Sequence, residues 1–191
     1  MKLAVISGSP RQNSQSARVA EHIQTTAQSR CGFETRSLLL VDVISRDPSY
    51  LSFDKNTELC EIAAWADGFV FVAPEYAGMA PPALKQAFFK IEHQDLAHKP
   101  AIAVGVSSGP GGTYPLTDLR GLSAKNTRLV YLPENVIVRA AHDGFFGDDS
   151  QSAEVKARIL LALQTLQIYI DRLAPVRDQL IALNTENRFG V

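Results

Sequence analysis

Short runs of apolar residues alternate along this chain with segments of helical periodicity, and that alternation constrains its fold more than any other feature. Leu3-Ala4-Val5-Ile6, Gly68-Phe69-Val70-Phe71-Val72-Ala73 and Ala101-Ile102-Ala103-Val104-Gly105-Val106 are apolar at consecutive positions, not at every second one. A strand with two apolar faces must be covered on both, which is the condition of a parallel sheet between helical layers. Residues 2–7, 33–40, 68–73, 101–106 and 135–138 read as five strands. Between them, Val19, Ala20, Ile23 and Ala27 mark a helix over 14–29, which Asn13 or Ser14 can cap. Leu59, Ile62, Ala63 and Ala66 mark a second helix. Residues 82–91 open a third behind Pro81-Pro82, a pair suited to a first turn. Residues 115–129 give a fourth. Val155, Ile159, Leu163, Leu166, Ile170 and Leu173 draw a long amphipathic helix ending before Pro175, with a short helix at 176–184.

Five alternations of strand and helix predict an α/β, three-layer α/β/α, doubly wound five-stranded parallel sheet. The expected order is the flavodoxin-like 2-1-3-4-5. The 191 residues fit one domain, 1–191. A net charge of -1 gives no footprint for nucleic acid or an anionic membrane. No apolar run approaches the ~20 residues of a membrane span. The opening apolar run is too short for a signal-peptide core, so the expected compartment is the cytoplasm. Cys31 and Cys60 form no metal or disulfide pattern and read as small half-buried thiols.

In such a sheet, ligands sit beyond the carboxyl ends of the strands, near the switch point between strands 1 and 3. Three loops are therefore informative. The first, Ser7-Gly8-Ser9-Pro10-Arg11-Gln12-Asn13-Ser14-Gln15-Ser16, runs into a helix N-terminus. Free N–H groups and the helix dipole favour an anion there. Ser9, Ser14 and Ser16 add hydroxyl donors and Arg11 a fixed cation. The loop is neither a nucleotide-hydrolysing P-loop nor a dinucleotide fingerprint, and it carries no cysteine. The second, from Pro74-Glu75-Tyr76-Ala77-Gly78 to Lys85, is stiffened by prolines and can present backbone groups to a flat ring. The third, Ser107-Ser108-Gly109-Pro110-Gly111-Gly112-Thr113, lets a planar ligand approach the main chain.

Together these residues resemble the NADPH-dependent FMN reductase family. Gly8-Ser9-Pro10-Arg11 and Ser14 look like its G-S-x-R-x-x-S. Pro74, Glu75, Tyr76, Gly78, Pro81, Leu84 and Lys85 look like its P-E-Y-N-G-x-x-P-x-x-L-K. Ser107, Gly109 and Gly112, with Gly111, look like its S-x-G-x-x-G-G. The resemblance spans roughly residues 2–140. It implies FMN, with NADPH or NADH as hydride donor and a small-molecule electron acceptor: a quinone, azo compound, metal oxyanion or flavin. It implies that Ser9, Arg11, Ser14, Gln15 and Ser16 hold the FMN phosphate. Pro74, Glu75, Tyr76 and Ala77 would line the ring, and Ser107, Ser108, Gly109, Gly111 and Gly112 its far edge. It also implies a homodimer or homotetramer.

No side-chain acid or base is assigned, and Glu75 reads as a structural member of its loop. The chain departs from the family pattern at Ala77, Phe89 and Lys90, where the family has Asn, Asp and Trp. Those departures motivate a scaffold that has lost its flavin; a non-enzymatic electron carrier is the other rival. His22 reads as exposed, His93 and His98 flank the connection to strand 4, and none of the four histidines stands at metal-ligand spacing. Phe145 and Phe146, in the segment 143–147, read as core plugs, the alternative being a cover over the flavin of a neighbouring subunit.

Overall fold

The computed structural model describes residues 1–142, 145–147 and 149–183. Its elements alternate as the apolar runs require. They are β1 (Lys2–Ser7), α1 (Gln15–Cys31), β2 (Glu34–Leu39), α2 (Leu40–Arg46), α3 (Thr57–Trp65), β3 (Gly68–Pro74), α4 (Pro82–Lys90) and α5 (His93–Leu96). There follow β4 (Pro100–Val106), α6 (Tyr114–Thr127), β5 (Val130–Tyr131), β6 (Val136–Val138), α7 (Ser150–Leu173), a 3-10 turn (Ala174–Val176) and α8 (Arg177–Leu183). All strand pairs are parallel, in the order β2-β1-β3-β4-β5.

Each central strand feeds two cores. From β1, Ala4 and Ile6 join Phe69, Phe71, Leu59 and Leu84 beneath α3, α4 and α6. Leu3 and Val5 point the other way and join Val19, Ile23, Leu163 and Leu166 beneath α1 and α7. The two-residue period of the strand produces this division. Burying each such Val, Leu or Ile contributes about 1.5–3 kcal/mol. The one stretch among the described residues long and apolar enough to cross a membrane, 150–183, contains α7, whose Ile159, Leu163, Leu166 and Ile170 are buried in the second core.

Local signals fix the helix that matters most for the site. Ser14 caps α1, its Oγ accepting from the Ala17 N–H at 3.2 Å. Asn13, the other candidate cap, instead takes a positive φ of 52° in the preceding turn. Gly32, at φ 67°, ends α1 by donating to the Ala27 and Gln28 carbonyls.

The structure departs from expectation in three places. β2 lies at the edge, as the order 2-1-3-4-5 requires, with only Leu38 buried; the departure is at its end. Its apolar tail 38–43 turns into α2, burying Leu40 and Val43 at helical spacing. The fifth position in the sheet is divided: β5 pairs with Pro100 and Ala101, and β6 with Val104–Val106. Pro133 between them has no N–H to donate to a ladder. The Arg120 guanidinium fills the break, donating to the Leu132 carbonyl and to Asn135 Oδ1 at 3.0 Å. The four-residue α5 has too short a pattern to register in the sequence.

Candidate functional site at the carboxyl ends of the strands

The Gly8 N–H donates to the Val72 carbonyl at 2.8 Å, which carries the β1–β3 ladder one residue past the strand. A Cβ on Gly8 would lie 2.7 Å from the buried Leu84 side chain, which would have to shift to admit it. The chain then lifts away from the sheet and returns at Ser14 to start α1. Arg11, Ser14, Gln15, Ser16, Pro74, Glu75, Tyr76 and Ser108 all line one cleft of about 230 Å³. Eight of the fourteen residues implied for the ligand thus share one cavity.

The first loop is rich in donors. Among the described residues, no acceptor meets the backbone N–H groups of Gln15 and Ser16 in the first turn of α1. Ser16 Oγ donates to Ser14 Oγ at 3.3 Å. Ser7 Oγ is buried at the end of β1 with no partner among the described residues. Arg11 is exposed, with its guanidinium 4.7 Å from the centre of the Tyr76 ring. Tyr76 reaches Ser9 Oγ at 3.1 Å, and that oxygen also accepts from the Arg11 N–H at 3.1 Å. Ser9 is therefore buried under the cleft, and Tyr76 joins the first loop to the second. This set of hydroxyls, free amides and one guanidinium fits a phosphate group.

The other two loops satisfy themselves. Tyr76 and Met79 exchange backbone hydrogen bonds at 3.0 Å in each direction. Ala77 (φ 50°) and Gly78 (φ 73°) make the turn between them. Two left-handed residues in a two-residue turn favour Asn-Gly, which is a physical reason for the family's Asn at this position. Ala77 itself is exposed and does not line the cleft. Ser107, Gly109, Gly111 and Gly112 do not line the cleft, although they belong to the same loop as Ser108, which does. Gly112 (φ 101°) has its N–H taken by the Glu75 carboxylate. The Gly109 N–H donates to Ser107 Oγ at 3.3 Å.

Gln12, Asn13, Val106, Ala141 and His142 also line the cleft. Gln12 and Asn13 lie inside the recognised loop. His142 reaches Gln15 (Nδ1 to Nε2, 3.1 Å) across 127 positions of sequence, and no local pattern announces such a contact. His22 is half-buried, not exposed. It packs edge-on against the buried Phe145 at 5.2 Å, and burial first, then Lys156, lowers its pKa. Phe146 lies under the Arg18 guanidinium at 3.7 Å. Asp143 and Gly144 of the same segment lie outside the described residues.

Phe89 and Lys90, the other departures from the family pattern, do not line the cleft. Phe89 packs edge-on against Phe53 at 5.5 Å. Lys90 is fully buried, donating to the Ser49 and Asp54 carbonyls at 3.2 and 3.0 Å, with Asp47 Oδ2 at 3.4 Å. It fastens the 47–56 loop instead of shaping the site.

The parallel sheet in the order 2-1-3-4-5, with a donor-rich loop at the β1–β3 switch point, defines a flavodoxin-like protein. Comparison with known proteins narrows the class. The sequence model for NADPH-dependent FMN reductase matches residues 1–143. The chain is 25% identical over 184 residues to an NADPH azoreductase of Bacillus sp. (strain OY1-2), covering 94% of this chain and 98% of that one. Its fold matches an oxidoreductase from Corynebacterium diphtheriae with a TM-score of 0.73 at 25% identity, over 90% of this chain and 97% of the other. It matches the apo form of the NADH:FMN oxidoreductase EmoB with a TM-score of 0.71 at 20% identity, over 90% and 89%. The chain belongs to the NADPH-dependent FMN reductase family, flavoproteins that use FMN and NAD(P)H.

Proposed function

We propose that this chain is an NAD(P)H-dependent reductase that carries FMN in the cleft of the first and second loops and reduces a small diffusible acceptor. Azo compounds and quinones are the first candidates, metal oxyanions and free flavin the next. The observation that carries this reading is the convergence of Arg11, Ser14, Ser16 and the open first turn of α1 on one cavity. FMN held there would supply hydride acceptance from NAD(P)H and electron transfer onward, while the protein binds, orients and tunes it.

The chain's own residues divide that work. Arg11, Ser14, Gln15 and Ser16 face the phosphate, with Ser9 buried beneath as a brace. Tyr76 holds the Arg11 guanidinium by stacking, so that one side chain fixes the spacing between the phosphate end and the ring end. Pro74, Glu75 and Tyr76 wall the ring. Ala77 supports it from the turn behind, and Ser107, Ser108, Gly109, Gly111 and Gly112 provide a border with little side-chain bulk. A flavodoxin-type carrier would share this cleft but would not oxidise NADPH continuously.

The protein acts in this proposal as a single domain in the cytoplasm, where the unpaired Cys31 and Cys60 stay reduced. It pairs with a second copy as a homodimer or homotetramer. Exposed Phe53, Phe89 and Leu122, beside an apolar groove of about 400 Å³ between α4 and α6, support that assembly.

The test is a visible absorption spectrum of the purified protein, before and after adding FMN and NADPH. A protein-bound flavin band that bleaches with NADPH and returns in air is expected. A protein that stays colourless in excess FMN contradicts the proposal.

A further inference from the structure

Glu75 stands where the loops after β3 and β4 meet. Its backbone N–H donates to the Val106 carbonyl at 2.8 Å, so the residue is held by the end of the sheet. Its side chain turns along the fourth-strand loop, where Oε2 accepts from the Gly112 N–H. The carboxylate also lies against Gly111: a Cβ there would come within 2.8 Å of Oε2 and 2.9 Å of Oε1. Glu75 lines the same cleft as Arg11 and Tyr76, and among the described residues it forms no ion pair. An acceptor-only group without a counter-ion thus occupies the backbone donor that borders the proposed ring site.

The pyrimidine edge of a flavin presents acceptors, and on reduction it gains negative charge. It needs the kind of N–H donor that Gly112 offers. One amide proton cannot fully serve the carboxylate and the ring together, and the two acceptors repel each other. We infer that Glu75 is a latch on the cleft: its carboxylate holds the Gly112 N–H in the free protein and must release it to the flavin. Glu75 then sets flavin affinity by competition. The inference rests on the FMN reading above and adds a positioning residue that limits how tightly the cofactor is held.

The test is FMN binding followed by fluorescence quenching, together with the Gly112 amide resonance of the ¹⁵N-labelled protein. Adding FMN to the wild type should move the Gly112 amide. Glu75→Gln keeps the shape but replaces a charge-assisted hydrogen bond with a neutral one, and the FMN Kd should fall about five- to tenfold. In Gly111→Ala, the new methyl pushes the carboxylate tip aside. The Gly112 amide should then shift, without FMN, in the same direction as in Glu75→Gln.

A merely structural brace gives the opposite result, with weaker FMN binding by Glu75→Gln. Unchanged or weakened binding by that variant overturns the latch while leaving the FMN reading intact. Should Glu75→Gln fail to fold, a wild-type Gly112 amide unmoved by saturating FMN overturns the latch alone. No FMN binding by the wild type overturns the reading and the latch together.

Discussion

The two rims of the sheet use left-handed backbone and charge in opposite ways. At the amino rim, residues with positive φ stop helices or turn the chain back into strands: Gly32 after α1, His98 before β4 and Arg128 after α6. At the carboxyl rim, Asn13, Ala77, Gly78, Gly112 and Ala140 shape loops that surround a cleft. Charge follows the same division. At the amino rim Lys99 is buried with its Nζ donating to the Ala63 carbonyl at 2.7 Å, and Arg177 donates to the Ala97 and Gln94 carbonyls at 2.9 and 2.6 Å. At the carboxyl rim Arg11 is exposed and the first turn of α1 is open. At the amino rim Lys99 and Arg177 direct their donors to backbone carbonyls, whereas at the carboxyl rim the first loop leaves its guanidinium and the Gln15 and Ser16 N–H groups without acceptors among the described residues.

The largest effect expected is at the carboxyl rim, in backbone packing. A Cβ on Gly105 would lie 2.0 Å from the Gly112 carbonyl oxygen, a backbone atom with little room to yield. Gly105→Ala should lower the unfolding free energy by about 3 kcal/mol or more, or prevent folding, as read by urea denaturation. Wild-type stability in that variant would show that the fourth-strand loop is not anchored on the sheet as described.

The amino rim supplies the next effect. Burial, and then Arg177, push the Lys99 pKa down to about 8 from 10.5. Between those values the unfolded chain binds more protons than the folded one, so stability rises with pH across that window. Below about pH 8 the buried charge is a penalty of the order of 2–3 kcal/mol. Lys99→Met should remove the rise, measured as the difference in unfolding free energy between about pH 7.5 and pH 10. A wild-type protein with no such rise would contradict the burial of that ammonium.

Arg11→Ala tests the open rim. It should weaken FMN binding at least tenfold, the scale of a charge-assisted hydrogen bond, and change stability by no more than about 0.5 kcal/mol. A stability loss with unchanged FMN binding would make Arg11 a structural residue like those of the other rim. The smallest effect is at the turn. Ala77→Asn should raise the melting temperature through about 0.5–1 kcal/mol, because Asn tolerates the left-handed region better than Ala. No change would show that the turn takes its shape from Gly78 alone.

Much of this contrast is legible in the sequence, and the parts that are not have physical causes. The doubly apolar runs that became β1, β3 and β4 announce a covered parallel sheet, and Asn13 or Ser14 marks the start of α1, although its end at Cys31 lies beyond the helix read over 14–29. The edge strand β2 is legible over 33–40, but its apolar tail hides the start of α2 at Leu40, because a short apolar run does not separate strand from helix. The split fifth position is legible only in hindsight from Pro133. In the site, the first loop is readable because its donors are consecutive. The Glu75–Gly112 hydrogen bond, the Tyr76 brace under Arg11 and the Gln15–His142 contact depend on loops being brought together by the sheet, and no local spacing encodes them. Phe89 and Lys90 teach the reverse lesson. Both depart from a family motif, yet the structure assigns them to loop packing, outside the cleft.

The central claim is that the first loop is a phosphate cradle within a flavin site. Its most direct test is the affinity of the flavin-free protein for FMN set against riboflavin, which lacks the phosphate, in the wild type and in Arg11→Ala. Wild-type protein should bind FMN at least tenfold more tightly than riboflavin, and Arg11→Ala should lose most of that preference. Equal affinity for the two flavins in the wild type would contradict the account.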